Sequence, residues 1–217
     1  MEEFVFLGIT LDQNITWNEH IAKITIKISR ITGLLRKLQF FPQHVLLTIY
    51  HTLIHSHILY GLLLWGSQYE RIEKLQKKAI RVVANSPYIS HTTPIFKTMN
   101  ILKINDLFDI QLFKLYYRIV NNRLPSYFRS FDPHVRNEEH YNLRYSTLRL
   151  PMTRREYYVQ CTKYQFFKLI RETPLDVLNN VSSQSLYQFS FQLKIAKLNN
   201  YEPNCNIRNC YVCQNAE

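Results

Sequence analysis

The stretch from residue 42 to residue 83 constrains the fold most, because it joins an apolar segment to a basic one through an aromatic turn. In its first half, apolar residues recur at spacings of three and four, which indicates one buried helix face. These residues are Leu46, Ile49, Tyr50, Leu53, Ile54 and Ile58. Tyr60-Gly61 and Trp65-Gly66 then predict a turn, since glycine adopts backbone angles that other residues avoid. We expect Tyr60 and Trp65 to pack there, with partners for their polar atoms.

The second half of this stretch predicts an amphipathic helix whose charges are segregated from its apolar side. The predicted buried stripe consists of Ile72, Leu75, Ala79, Ile80 and Val83. The remaining positions carry Arg71, Lys74, Lys77, Lys78 and Arg81, against only Glu70 and Glu73. Such a helix packs through one side and presents cations on the other.

The segment that precedes this stretch predicts a strand followed by a long helix. Residues 4–11 are mostly apolar and are closed by the turn residues 12–14, which is typical of one short strand. Thr16 and Glu19 match a capping box, and Pro42 limits the helix that follows. Its apolar stripe is Ile21, Ile24, Ile28, Ile31, Leu35 and Leu38. The cations off that stripe are Lys23, Lys27, Arg30, Arg36 and Lys37.

The rest of the chain predicts shorter helices and one irregular segment. Helices are expected near residues 93–99, 105–124, 160–171 and 185–198. A loop is expected over 126–153, with one short strand near 147–150. With only four glycines, the composition favours helices over tight-turned sheets. The predicted fold is mainly α, a helical bundle with a short N-terminal strand and a looser helical C-terminal extension. We expect three regions: the strand at residues 1–12, a helical domain at 13–125, and a C-terminal extension with a cysteine-containing tail at 126–217.

The charge of the chain predicts a polyanionic partner. Its 27 Lys and Arg residues exceed its 16 Asp and Glu residues, so the formal net charge is +11. This excess favours nucleic acid first and an anionic membrane second. His51, His55 and His57 interrupt the longest apolar run, which falls short of the ~20 residues of a spanning helix. We expect no membrane partner and an intracellular protein, in the nucleus or the cytoplasm, with reduced cysteines.

Two groups of residues raise the question of a metal. Cys205, Cys210 and Cys213 supply three of the four ligands that zinc requires, and Cys161 completes the set only by folding back. An unpaired cysteine tail is therefore favoured over a structural zinc site, and no other cofactor is expected. His51 and His55 are four residues apart but lack a third ligand and a neighbouring carboxylate, so we interpret them as surface or packing histidines.

The sequence predicts no autonomous active site. Metal-dependent phosphoryl chemistry needs two or more aspartates that converge on a divalent cation, and no two aspartates are adjacent here. They are Asp12, Asp106, Asp109, Asp132 and Asp176. Asp106 and Asp109 fall in the first turn of a predicted helix, where they offset its dipole. The four glycines are scattered and form no phosphate-binding loop.

Basic helices with interleaved aromatic residues are the remaining candidate for function. Lys and Arg neutralise phosphates without reading sequence, and Tyr and Phe stack on unpaired bases. The alternative is that these are ordinary solvated helix faces. Because the cations are concentrated, we predict phosphate contacts at Arg30, Arg36, Lys37, Lys74, Lys77, Lys78 and Arg81.

Several motifs of this chain resemble the reverse transcriptases of non-LTR retrotransposons, of the jockey and chicken-repeat type. The resemblance covers nearly the whole chain and is most specific up to about residue 85. It rests on FLGITLD at residues 6–12, Ile15-Thr16-Trp17, His20-Ile21, Tyr50-His51-Thr52-Leu53-Ile54, His57, Tyr60-Gly61, Trp65-Gly66 and LQKKAIR at residues 75–81.

The resemblance implies the thumb and downstream region of such an RNA-directed DNA polymerase. In that family the thumb helices grip the template–primer duplex, and the palm supplies the metal-binding aspartates. The strand at residues 4–11 would then be the last part of a palm. Since the catalytic aspartate pair is missing from this sequence, we expect binding of RNA or DNA, as a template–primer duplex, without polymerisation by this chain alone. The alternatives are a non-functional transposon-derived remnant and a helical module that binds an intact polymerase.

Overall fold

The computed structural model describes residues 3–131, 150, 156–174, 177–178, 181 and 184–201. Over these residues the fold is mainly α, as predicted, with one two-stranded sheet at the N-terminal side. The strands are β1 (Phe4–Phe6) and β2 (Ile9–Leu11). The helices are α1 (Asn18–Lys37), α2 (Gln43–Ile49), α3 (Ser56–Leu59), α4 (Leu62–Trp65), α5 (Glu70–Val83), α6 (Thr92–Thr98), α7 (Ile104–Val120), α8 (Glu156–Gln160), α9 (Thr162–Glu172) and α10 (Leu186–Asn199).

The described residues group into two compact units. One contains residues 3–107 and 195–201, and the other contains the described part of 108–194. The helix predictions near 93–99, 105–124, 160–171 and 185–198 are confirmed as α6, α7, α9 and α10. Ser126–Phe131 forms a 3₁₀ turn, and the strand predicted near 147–150 lies outside the described residues apart from Leu150. The predicted limits of the three domains stay a prediction.

The single strand predicted over residues 4–11 is wrong, because the segment folds into a hairpin. β1 pairs antiparallel with β2, in the register Phe4↔Leu11, Val5↔Thr10 and Phe6↔Ile9. The two residues between the strands, Leu7 and Gly8, both have positive φ, at 47° and 79°. Two positive φ values are what a tight two-residue hairpin turn requires. A leucine is unusual at such a position, so the pattern of apolar residues concealed the turn.

The capping box predicted at Thr16 and Glu19 is also wrong. The Thr16 hydroxyl donates to the Asp12 carboxylate, and the Thr16 N–H donates to Asp12 Oδ1 over 2.7 Å. Helix α1 begins at Asn18 after Trp17, which has a left-handed backbone conformation and no side-chain cap. Thr16 therefore stabilises the turn before the helix, and the first amides of α1 are left without that cap.

The apolar helix of the central stretch is confirmed, but its middle is a π turn. Six residues, Tyr50–His55, form this π segment between α2 and α3. Tyr50, Ile54 and Ile58 are fully buried at successive spacings of four, whereas Leu53, predicted to be buried, is exposed. A π turn holds more residues than an α turn, so it changes which residue positions face the core on that side of the helix axis.

The turn after α3 forms as predicted and Trp65 packs there, whereas Tyr60, which was also expected to pack, is 52% exposed. Gly61 has a φ of +65°, a conformation that other residues rarely adopt. The Trp65 ring is fully buried and its Nε1 donates to Tyr60 O over 3.0 Å. The Tyr60 hydroxyl donates to Leu7 O, so this turn is tied to the β1–β2 hairpin. Gly66, in contrast, has ordinary helical angles.

Helix α5 is the centre of the first unit, since it packs against α1, α2, the π segment and α6. Its buried stripe includes Ile72, Ala79, Ile80 and Val83, as predicted. In place of Leu75, which is half-buried, the helix buries Gln76 completely. The Gln76 amide donates to Tyr50 Oη over 3.0 Å and to Leu102 O over 2.9 Å, and its Oε1 accepts from Ile104 N over 2.9 Å.

Aromatic packing dominates the second unit. Phe189 of α10 lies against Phe113 and Tyr117 of α7, with ring centroids 6.2 and 6.0 Å apart. The Tyr117 hydroxyl donates to Gln184 O over 2.8 Å. Phe166 of α9 packs against Tyr116 with 6.3 Å between ring centroids. Offset and edge-on ring pairs of this kind stabilise a core beyond the area that they bury.

No single helix among the described residues has both the length and the apolar character needed to cross a membrane. The pair Gln43–Leu59 and Leu62–Gln68, bent by 55°, meets that requirement by length and composition alone. Its large side chains Tyr50, Ile54, Ile58 and Trp65 are fully buried inside the fold.

Candidate functional site

Helices α1 and α5 lie side by side and run in the same direction. Near their N-terminal ends, the rings of His20 and Trp65 are 6.2 Å apart between centroids. Just after the C-terminal end of α1, Gln39 Nε2 donates to Val82 O over 3.2 Å. Each helix therefore faces its neighbour over most of its length.

On α5 the predicted cations lie on the side away from the core. At about 100° per residue, Lys74, Lys78 and Arg81 fall within about 60° of one another around the helix axis. The buried residues Ile72, Ala79, Ile80 and Val83 occupy the other side. Lys74 is exposed, and Lys77, Lys78 and Arg81 are half-buried. The segregation of charge predicted for this helix is thus observed, and phosphate contact by these residues stays a prediction.

Two of these α5 cations also have partners within the protein. Lys77 Nζ is 2.7 Å from Glu73 Oε1, one helical turn earlier. Arg81 Nε donates to Ser90 O over 2.9 Å, and the guanidinium lies over the Tyr88 ring at 5.8 Å from its centroid. Burial lowers the pKa of Arg81, a group whose ordinary value keeps it charged in proteins. Lys74 and Lys78 form no ion pair with any described carboxylate.

On α1 the predicted cations are exposed but less well grouped. Arg30 and Lys37 lie within about 20° of each other around the helix, whereas Arg36 lies about 100° away from Lys37. Lys23, on the same helix, pairs with Glu3 over 2.6 Å. The exposed side chains Ile26 and Leu34 interrupt the charged surface of α1. The structure therefore groups the α5 cations, and it separates Arg36 from the others on α1.

A further group of cations was not predicted from the sequence. Lys103 Nζ donates to Thr93 Oγ1 over 3.1 Å and lies 4.6 Å from the centroid of the Tyr201 ring. The Tyr201 hydroxyl accepts from Lys103 N over 2.9 Å and donates to the Asp106 carboxylate. Asp106, predicted only to offset a helix dipole, is also 3.3 Å from Lys197 Nζ. These partners are distant in sequence, so no spacing pattern could have indicated them.

Two histidines of the first unit, His20 and His91, have lowered pKa values. Burial and the charges of Lys27 and Lys23 lower the pKa of His20, whose Nδ1 accepts from Thr10 N over 3.3 Å. Burial, together with the charges of Lys103, Arg81 and Lys77, lowers the pKa of His91. Burial is the larger cause in both cases, because a charged imidazole loses hydration inside a protein.

No group of three potential metal ligands converges among the described residues. The rings of His51 and His55 are 5.4 Å apart between centroids, without a third ligand beside them in the described part of the chain. Cys161 is half-buried immediately before α9. Cys205, Cys210 and Cys213 lie outside the described residues, so the zinc hypothesis for the tail stays a prediction.

Two curated proteins of Drosophila melanogaster are similar to this chain. One is a probable RNA-directed DNA polymerase from transposon BS, 27% identical over a match of 109 residues that covers 46% of this chain. The other is the RNA-directed DNA polymerase from the mobile element jockey, 26% identical over a match of 113 residues that covers 48% of this chain. The matched region spans 12% of the length of each relative.

These two similarities confirm the resemblance to non-LTR retrotransposon RNA-directed DNA polymerases that the motifs indicated. No protein-family model matches the chain, and no solved structure matches it.

Proposed function

We propose that this chain binds the sugar–phosphate backbone of a template–primer duplex, as the C-terminal part of a retrotransposon RNA-directed DNA polymerase. The observation that carries the proposal is the exposed side of α5, where Lys74, Lys78 and Arg81 are grouped away from the buried stripe. Cations spaced along one helix side match the repeated charges of a nucleic-acid backbone. The similarity to two polymerases of mobile elements supports the same ligand class.

In this proposal the chain supplies binding and no bond-making group. Of its aspartates, Asp12 bonds Thr16 and Asp106 bonds Tyr201 and Lys197. Both carboxylates therefore stabilise local structure. We place the protein in the nucleus or the cytoplasm, where RNA and DNA templates are found. A primer-extension assay with the 217-residue chain and Mg²⁺ should show no nucleotide incorporation, and incorporation above a no-protein control would contradict this part of the proposal.

The binding test measures the affinity of the 217-residue chain for a labelled primed duplex by fluorescence anisotropy across a salt series. Each phosphate contact contributes about 0.9 to the slope of log affinity against log salt, so the double variant K74Q/K78Q should lower that slope by about 2. The matched control is K168Q/R171Q, which removes two exposed cations from α9. An unchanged slope in K74Q/K78Q, or an equal reduction in the control, would refute the proposed binding surface.

A second candidate function is a module that binds an intact polymerase. It is favoured by the hairpin, whose apolar residues Phe4, Val5, Phe6 and Leu7 are exposed, Leu7 by 73%. Exposed apolar patches on soluble proteins frequently mark protein interfaces. Capture of a purified jockey-type polymerase by the wild-type chain but not by F4S/F6S, combined with salt-insensitive or absent duplex binding, would favour this alternative. Absence of both activities would favour a non-functional remnant.

A further inference from the structure

Residues 90–93, which lead into α6 and include its first two residues, are held at both ends by cations. At residue 90, the backbone carbonyl of Ser90 accepts from Arg81 Nε over 2.9 Å. At residue 93, Thr93 Oγ1 accepts from Lys103 Nζ over 3.1 Å. His91 lies between these two anchor points. Arg81, His91 and Lys103 therefore converge on one small region of the first unit.

The carboxylates near this region are already bound to other groups. Glu73 pairs with Lys77 over 2.7 Å, and Asp106 pairs with Lys197 over 3.3 Å and accepts from the Tyr201 hydroxyl. Neither Arg81 nor Lys103 forms an ion pair with a described carboxylate. The charges of Asp106 and Glu73 act on Lys103 without forming an ion pair with it. A guanidinium and an ammonium group that are not held in ion pairs are a favourable environment for a bound oxyanion.

His91 adds a neutral hydrogen-bond donor to this pair. Its Nδ1 is buried and has no hydrogen-bond partner among the described residues. The neighbouring Ser90 Oγ is also buried and has no such partner among them. The ring as a whole is only half-buried, and Nε2 is not among its buried atoms. A neutral imidazole that carries its proton on Nε2 would donate toward solvent.

An exposed aromatic ring lies next to this group. Tyr88 is 72% exposed, and its ring has the Arg81 guanidinium at 5.8 Å from the centroid. An exposed ring beside a cation is the arrangement with which proteins hold unpaired nucleotides, because the base stacks on the ring and the phosphate meets the cation. A base in a duplex cannot use such a ring, since it is already stacked within its own helix.

We propose that Arg81, His91 and Lys103 bind one phosphate of an unpaired nucleic-acid strand, and that Tyr88 stacks on an adjacent base. This site goes beyond the duplex-binding surface of α5, because it selects a single strand through a base contact. It shares Arg81 with that surface and otherwise uses separate residues. An unpaired template strand that continues beyond a duplex is the chemical class of ligand that it fits.

The test uses the 217-residue chain and a labelled oligodeoxythymidine of about eight nucleotides, with binding followed by fluorescence anisotropy at fixed salt. Loss of a stacked base or of a buried phosphate contact should weaken binding by about 10-fold in each of Y88A and K103Q. The matched control is K97Q, which removes an exposed lysine of α6. It should bind like the wild-type chain. Circular dichroism checks that each variant is folded. If K103Q does not fold, Y88A still tests the site, because it alters a largely exposed side chain.

A second readout follows His91 directly by NMR titration. The charged groups that face His91 are Lys77 and Arg81 from α5 and Lys103 from the segment before α7. A bound phosphate offsets those charges, so the oligomer should raise the pKa of His91, and K97Q should show the same rise. Oligomer affinity that survives either Y88A or K103Q would overturn the proposal. Binding of inorganic phosphate with no affinity for the oligomer would overturn it as well.

The outcomes separate this site from the duplex-binding surface. K103Q and Y88A should leave the salt slope for a primed duplex without overhang unchanged, whereas K74Q/K78Q should reduce that slope and spare oligomer binding. Failure of duplex binding in the wild-type chain, with oligomer binding lost in Y88A, would refute the α5 surface and support the single-strand site. The reverse result would refute only the single-strand site.

Discussion

The side-chain amide of Gln76 donates a hydrogen bond to the phenolic oxygen of Tyr50, 26 residues away, over 3.0 Å. Both side chains are fully buried. The same amide bonds Leu102 O and Ile104 N, so one residue of α5 connects the π segment to the start of α7. Burial raises the pKa of Tyr50 well above its ordinary value, and the hydrogen bond from Gln76 partly opposes that rise.

Replacing Gln76 should destabilise the fold strongly. Q76L introduces an apolar side chain of similar size and leaves Ile104 N–H and Leu102 C=O buried without partners. Each buried group left unsatisfied costs about 1–3 kcal/mol, so the free energy of unfolding should fall by about 3 kcal/mol. Urea denaturation followed by circular dichroism measures this change.

Y50F is the control for Q76L, because it removes only the phenolic oxygen. Gln76 then keeps its bonds to Leu102 and Ile104, so the expected loss is about 1 kcal/mol. A loss in Q76L no larger than that in Y50F would mean that the backbone bonds of Gln76 contribute little.

Substitution by alanine should change the free energy of unfolding in opposite directions at two glycines. Gly61 has a positive φ, and a Cβ there would lie 2.9 Å from Ile9 Cδ1. The Ile9 side chain can shift, but the backbone strain remains, so G61A should lower the free energy of unfolding by about 1–2 kcal/mol.

Gly33 is the matched case, since it lies inside α1 and an added Cβ would meet no atom within 4 Å. G33A should raise the free energy of unfolding by about 0.5–1 kcal/mol, because alanine loses less conformational entropy in a helix. Equal effects of the two substitutions in thermal denaturation would contradict the conformation assigned to Gly61.

Stability should fall as the pH drops through the ordinary range of histidine. The pKa values of His20 and His91 are lowered below 6.5 in the folded protein. Between those lowered values and 6.5 the unfolded chain binds more protons, so acidification favours unfolding. Urea denaturation at about pH 7.5 and about pH 5.5 should show the loss. H91Q should lose less stability over this interval than the wild-type chain, and an equal loss would exclude His91 as a source.

Substitution of Arg81 should lower the stability of the protein, whereas substitution of Lys74 should not. R81Q breaks the bond to Ser90 O, so the free energy of unfolding should fall by about 1 kcal/mol. K74Q alters an exposed side chain and should change it by less than about 0.5 kcal/mol. Each should lower the salt slope of duplex binding by about 1. A stability loss in K74Q equal to that in R81Q would mean that Lys74 belongs to the structure of α5.

Residue periodicity predicted the long helices, because burial on one side of a helix leaves a pattern in the sequence itself. Ile21, Ile24, Ile28 and Leu35 are buried on α1 as that pattern requires. The pattern failed where a polar side chain is satisfied by distant partners. Gln76 reads as a surface residue in sequence, and only the positions of Tyr50, Leu102 and Ile104 explain its burial.

The candidate site was predictable only in part, for the same physical reason. The cations of α5 follow from the amphipathic pattern of one helix. The convergence of Arg81, His91 and Lys103 depends on where α6 and the start of α7 pack, and neither is encoded in local spacing. The hairpin was missed because Leu7 adopts a backbone conformation that its residue type disfavours.

The π turn at Tyr50–His55 determines which side of the following helical residues faces the core. A π turn holds about one residue more than the α turn that it replaces, so deletion of one of the six residues would let the segment become an ordinary α-helix whose two ends keep nearly the same relative rotation. Relaxation into an α-helix without a deletion would instead rotate the two ends by about 100° relative to each other. Either Tyr50 would then turn away from Gln76, or Ile58 and the Gly61 corner would leave their places. A single-codon deletion within the π turn should therefore be less damaging than one in a regular α-helical part of the same chain.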